Sequence, residues 1–155
     1  MKAIISGSFD PITLGHLDII ERASKMFDEI FVGICENSDK KSLFSFNDRK
    51  TMAELACKEL NNVKVVTVKG LLADFTDENG ISVIVRGLRD SIDLAYEMPM
   101  TVINRSLRNH PETVFLPTKP EYTHISSTYV RELLKYGEDV SGYLPPSVYE
   151  YIKSI

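Results

Sequence analysis

Five short runs of Val, Ile and other apolar residues recur along the chain, at Ala3 to Ser6, Ile30 to Cys35, Val63 to Val68, Val83 to Val85 and Val114 to Leu116. They are mostly continuous rather than alternating, the pattern of strands covered on both faces in a parallel sheet. Helical repeats lie between them. Leu17, Ile20, Ala23, Ser24 and Phe27 keep a spacing of about 3.6 residues, as do Met52, Leu55, Ala56 and Leu60. A shorter helix is expected from Leu71 to Asn79, stopped at Asn79-Gly80, and a longer one from Ser91 to Leu107 that Pro99 should kink or split. Ser126 or Ser127 should cap a helix running to about Tyr136, and Pro145 or Pro146 should open a last one through Ile152.

Strand and helix therefore alternate, and right-handed crossovers make this an α/β chain with a doubly wound, Rossmann-like, five-stranded parallel sheet and C-terminal helices. With strand order 3-2-1-4-5, strand order reverses between the first and fourth strands. Ligands bind such sheets at the carboxyl ends of the strands beside that switch point. The segment after strand one is GSFDPITLGH and the segment after strand four is RGLRD, so these two should face each other.

Composition narrows the classes. A chain of 155 residues fits one domain, here residues 1-155. With 18 basic against 22 acidic residues the net charge is −4, which argues against extended nucleic acid as a partner. Neither a signal peptide nor a membrane span can be read, and Cys35 and Cys57 suit reduced, buried thiols, so a cytoplasmic address is expected.

GSFDPITLGH reads as a phosphate site. Gly7 permits a sharp turn, Ser8 offers a hydroxyl and an N–H, Asp10-Pro11 builds a turn, and Thr13 can cap the next helix. Gly15 leaves the first helical turn open, and His16 stands in that turn, where free N–H groups and the helix dipole favour an anion. The stretch is neither a Walker loop nor the G-x-G-x-x-G fingerprint. Across the crevice, Arg86 and Arg89 flank Gly87 and Leu88, two forked donors around a glycine that lets a ligand come close. Lys40 or Lys41, after strand two, could reach the same crevice; the residues alone leave open which. Ser126, Ser127 and Thr128 at a helix start form a third anion site.

Three anion sites around one crevice imply a polyphosphate and a second phosphorylated substrate. No Ser-His-Asp set, metal-ligating cluster or catalytic carboxylate pair is legible. Donors and cations suit transfer by positioning and charge stabilisation. A nucleotide-binding regulatory module without chemistry is the alternative from another class.

With GSFDPITLGHLDII, the lysine pair, VIVRGLRD, YEM at 96 to 98 and ISSTYVRE in order, the chain resembles the bacterial phosphopantetheine adenylyltransferases, nucleotidyltransferases with an H-x-G-H or T-x-G-H signature. The likeness runs from Lys2 into the terminal helix. Thr13 stands where relatives acting on glycerol phosphate or nicotinamide mononucleotide usually carry a first histidine. The resemblance implies adenylyl transfer from ATP to 4′-phosphopantetheine, giving dephospho-coenzyme A and pyrophosphate with Mg²⁺ assisting and no protein metal ligand assigned. It further implies that Ser8, Lys40, Arg86 and Leu72 hold the acceptor. The nucleotide would lie against Ser8, Phe9, His16, Gly87, Leu88, Arg89, Glu97, Tyr122, Thr123, His124, Ile125, Ser126, Ser127 and Thr128. His16, Ser8, Lys40 and Arg89 would carry the chemistry. A homohexamer, with coenzyme A as feedback ligand, is the assembly implied. His124, Thr128 and Pro99 depart from the family pattern.

Overall fold

A computed structural model describes residues 1–35, 42–107 and 110–155. Lys40 and Lys41 lie outside the described residues.

Each apolar run becomes a strand: β1 (Lys2–Gly7), β2 (Glu29–Cys35), β3 (Val63–Val68), β4 (Val83–Leu88) and β5 (Glu112–Pro117). All pair in parallel in the order β3-β2-β1-β4-β5, as the sequence predicts. Among the described residues six α-helices connect or follow them: α1 (Leu14–Ser24), α2 (Phe46–Cys57), α3 (Leu72–Glu78), α4 (Ser91–Ser106), α5 (Ser127–Lys135) and α6 (Pro146–Ser154). Helix α2 starts well before its apolar repeat because the hydroxyl of Ser45 accepts the amide of Asp48 and caps it there.

The sheet separates two apolar clusters, as the two-residue period of a strand requires. Ala3 and Ile5 of β1 join Ile12, Ile20, Met52, Val130, Leu144 and Val148 on one face; Ile4 joins Phe31, Val68, Ile81 and Ile84 on the other, under Leu72 and Phe75 of α3.

Pro99 does not split α4, which runs as one helix from Ser91 to Ser106. A proline removes one backbone donor, a loss confined to one turn, and the Thr101 hydroxyl donates to the Glu97 carbonyl (3.1 Å) beside it. Of the residues of α4 only Asn104 is buried, while Ile92, Tyr96, Val102 and Ile103 stand exposed. No described helix is long and apolar enough to cross a membrane.

Candidate active site

Strands β1 and β4 are registered only at Ala3–Val83 and Ile4–Ile84, yet β1 continues to Gly7 and β4 to Leu88. Their carboxyl ends therefore part, at the point where strand order reverses. A cavity of about 360 Å³ opens there, and both GSFDPITLGH and RGLRD contribute to its wall.

The exit from β1 is shaped by its phenylalanine rather than by its glycine. Phe9 has φ of 46°, in the left-handed region that a bulky residue rarely enters, whereas Gly7 does not need that freedom. The peptide between Asp10 and Pro11 is cis. Phe9 is buried, and its ring meets the ring of His16 edge-on, with centroids 5.1 Å apart. The Asp10 carboxylate turns inward and accepts the amides of Leu43 and Phe44 (2.9 Å each), while Arg131 donates to the Asp10 carbonyl (2.7 Å). The loop is thus tied to the start of α2 and to α5.

His16 is the third residue of α1 and closes a capping box with Thr13. The Thr13 amide donates to Nδ1 of His16 (3.1 Å), and the His16 amide donates to the Thr13 hydroxyl (3.4 Å). An imidazole whose Nδ1 accepts carries its proton on Nε2, so Nε2 is the nitrogen left to donate to a ligand in the cavity that His16 lines. Burial, and then the positive Arg89 nearby, push its pKa down to about 4. At neutral pH the ring is an uncharged donor.

Both arginines of RGLRD carry carboxylate partners from α4. Arg86 pairs with Glu97 (3.2 Å) and donates to the Ser6 carbonyl, bridging the gap between the parted strands. Arg89 holds both carboxylate oxygens of Asp93 at 2.9 Å, and that contact keeps the Asp93 carboxyl below its ordinary range. Two cations and two anions offset one another, leaving the crevice rich in donors but nearly neutral before a ligand enters.

Gly87 has a different use from the one expected. A Cβ there would stand 2.9 Å from Cγ1 of Ile19, so the space is already filled by α1. The missing side chain lets helix and strand approach; it does not leave a gap for a ligand.

The hydroxyls of the third anion site also have structural partners. Ser126 caps α5 by accepting the Tyr129 amide (3.2 Å), Ser127 donates to the Pro11 carbonyl (2.8 Å), and Thr128 accepts from Arg131 (3.2 Å). The α5 N-terminus still lines the cavity, at the distance from β1 that the Ser127 bond sets.

Comparison with known proteins decides the family. A family model described as cytidylyltransferase-like matches residues 4–133. Phosphopantetheine adenylyltransferases of Staphylococcus haemolyticus and Thermotoga neapolitana are 43% and 45% identical to this chain, covering 98% and 99% of it and 94% and 98% of themselves. That of Symbiobacterium thermophilum is 47% identical over 94% of the chain and 90% of its own length. The chain belongs to the phosphopantetheine adenylyltransferase family. As a member of this family of cytidylyltransferase-like proteins it is an enzyme, a nucleotidyltransferase. A solved Vibrio parahaemolyticus chain assigned as a nicotinate-nucleotide adenylyltransferase has the same fold, with a TM-score of 0.75 at 22% identity over 99% of this chain and 91% of that one.

Most of the residues that the phosphopantetheine adenylyltransferase pattern singles out meet at this cavity. Ser8, Phe9, His16, Arg86, Gly87, Arg89, Glu97, Tyr122, Ile125, Ser126, Ser127 and Thr128 line it. Leu88, Thr123 and His124 do not. Leu88 ends β4, the Thr123 hydroxyl turns back to the Pro120 carbonyl (2.9 Å), and His124 faces Tyr143 across a smaller apolar pocket. Leu72 packs on the cluster around Phe31 instead of lining the cavity. Lys40 lies outside the described residues.

Sequence reading missed Asp93, although its spacing of four from Arg89 on a predicted helix was a visible signal. It also missed Asp18, buried in α1, which pairs with Arg22 (3.0 Å) and Lys119 (2.9 Å) and so fastens α1 to the segment after β5. The spacing of four to Arg22 was visible, but the pair with Lys119 spans the chain and left no local trace.

Proposed function

We propose that the enzyme transfers the adenylyl group of ATP to 4′-phosphopantetheine, giving dephospho-coenzyme A and pyrophosphate, by direct in-line attack without a covalent intermediate. What carries the reading is the neutral His16, an Nε2 donor beside Arg89 at the wall of one cavity, in a chain 43% to 47% identical to phosphopantetheine adenylyltransferases over 94% or more of its length.

In this reaction an oxygen of the acceptor phosphate forms a bond to the α-phosphorus of ATP as the bond to pyrophosphate breaks. The acceptor phosphate is already ionised near neutral pH, so no strong base is required. The demands left are to hold two anions together and to offset charge gathering on the leaving group. Ser8 and Arg86 hold the acceptor phosphate, and Lys40 contributes charge to it. His16 donates from Nε2 to phosphate oxygen, and Arg89, oriented by Asp93, steadies the β- and γ-phosphates. Phe9, Glu97, Tyr122, Ile125, Ser126, Ser127 and Thr128, on the cavity wall, seat the nucleotide.

Among the described residues no group of three or more His, Cys, Asp or Glu side chains is placed to hold a metal ion. Mg²⁺ commonly keeps several waters and rides on substrate phosphates with one or two carboxylates nearby. The crevice fits that mode: its wall carries the carboxylates of Asp93 and Glu97, paired with Arg89 and Arg86, which the water shell of the ion would meet. Bound so, Mg²⁺ supplies positive charge against the triphosphate.

The whole chain acts as one nucleotidyltransferase domain in the cytoplasm, consistent with the free thiols of Cys35 and Cys57. It works as a homohexamer, for which the exposed apolar residues of α4 supply a surface. Coenzyme A, which shares the adenylyl and pantetheine parts of the product, is a feedback ligand at the same crevice.

A pyrophosphate-release assay with ATP, Mg²⁺ and a panel of phosphorylated acceptors tests the reading. Release is expected with 4′-phosphopantetheine above all others; no release with it, from folded protein, overturns the proposal.

A further inference from the structure

We propose that Arg49 is a positioning residue for the acceptor-phosphate subsite, acting from behind the crevice wall; this rests on the acceptor reading given above.

Arg49 stands in the first turns of α2 and is only 4% exposed. Among the described residues no carboxylate lies within ion-pair distance of it, and its Nε has no hydrogen-bond partner. A guanidinium stays charged in a protein, and a buried charge without a counter-ion is costly. The ring of Phe46, with its centroid 5.2 Å away, offers only partial compensation. An apolar side chain would avoid the cost of burying a charge, but it would leave the carbonyls that Arg49 holds without this donor.

What Arg49 does touch points to a role. Its Nη1 donates to the carbonyl of Ser8 (2.7 Å) and to the carbonyl of Cys35 (3.2 Å). Cys35 is the last residue of β2, and Ser8 follows the last residue of β1. One guanidinium therefore joins the carboxyl ends of two adjacent strands on the edge where the cavity opens. Holding the Ser8 carbonyl fixes the peptide between Ser8 and Phe9. The rare left-handed conformation of Phe9 follows directly, and its ring rests against His16. Conformations of this kind persist only where surrounding bonds over-determine them. Arg49 thus reaches Ser8 directly, and it leaves a positive charge behind Ser8 that the phosphate of an arriving acceptor can offset.

The test compares the full-length wild type with Arg49→Met and Arg49→Lys, each checked for a cooperative thermal transition, in steady state with ATP and 4′-phosphopantetheine varied separately. Arg49→Met is expected to raise the acceptor KM by about tenfold or more, the loss of a charged hydrogen bond, with the ATP KM within about threefold. Arg49→Lys, which keeps the charge but not the fork, should fall between it and wild type. An acceptor KM that stays unchanged, or that rises in step with the ATP KM, overturns the assignment. If Arg49→Met fails to fold, Arg49→Lys decides by the same split. A wild type inactive with 4′-phosphopantetheine overturns the acceptor reading instead, so the two failures are distinguishable.

Discussion

Arg89 grips both carboxylate oxygens of Asp93, Nε to Oδ2 and Nη2 to Oδ1, at 2.9 Å each. The fork fixes the plane of the guanidinium at the cavity wall and engages Nε and Nη2 but not Nη1. Replacing Asp93 with Asn loosens that orientation, and kcat for adenylyl transfer is expected to fall about tenfold, the worth of one charged hydrogen bond. Because the pair is partly exposed, the melting free energy should move by less than about 1 kcal/mol. A kcat equal to wild type would show that Arg89 needs no partner.

His16 should titrate far below an ordinary histidine. Its folded pKa is about 4 against 6.5, so above pH 6.5 it is neutral in both the folded and unfolded states. Between pH 6.5 and 4 the unfolded chain binds a proton that the folded chain refuses, and stability is lost as pH falls through that window. A proton NMR titration of the His16 ring is expected to show a midpoint near 4. A midpoint near 6.5 would contradict the environment described.

The same ring, as a single transition-state donor, should matter more for rate than for fold. His16→Ala is expected to lower kcat by about 10² or more. Its thermal transition should remain cooperative. A folded variant with undiminished turnover would remove His16 from the chemistry.

Gly87 and Ile19 should couple. Gly87→Ala places a methyl 2.9 Å from Cγ1 of Ile19 and is expected to destabilise the chain by about 1–3 kcal/mol, the usual range for overpacking. In an Ile19→Ala background the same change should be neutral or stabilising, because the obstructing atom is gone and glycine in a strand carries its own entropic cost. Equal costs in both backgrounds, measured by denaturant unfolding, would rule out this contact as the reason for the glycine.

The exposed apolar side of α4 carries the proposed assembly. Val102→Asp with Ile103→Asp, at positions 64% and 48% exposed, should shift the particle to a smaller mass in light scattering after gel filtration. An unchanged mass would place the subunit contacts elsewhere.

The five strands, their order and the crevice between β1 and β4 were legible in the chain because continuous Val and Ile runs and capped helical repeats are local signals. Thr13 was legible as a cap and His16 as a residue of the first helical turn for the same reason, although the capping box that joins them was not read. Other features had no local trace. Arg49 looks like a surface arginine of a polar helix start, and only folding brings it beneath Ser8. Gly87 reads as a phosphate-loop glycine, and only the approach of α1 shows that Ile19 occupies its space. Pro99 promised a kink or a split, and α4 is not split, because the loss of one hydrogen bond does not outweigh the rest of the helix.

By itself, then, the sequence determined which segments form the sheet and which residue types reach its carboxyl edge, since periodicity, caps and breakers act over a few residues. The tertiary structure alone decided how those residues serve. It set Glu97 of α4 against Arg86, buried His16 so that its ring stays uncharged, and moved the left-handed backbone from Gly7 to Phe9. Each of these depends on groups brought together by packing, whose distances and burial no single stretch of chain contains.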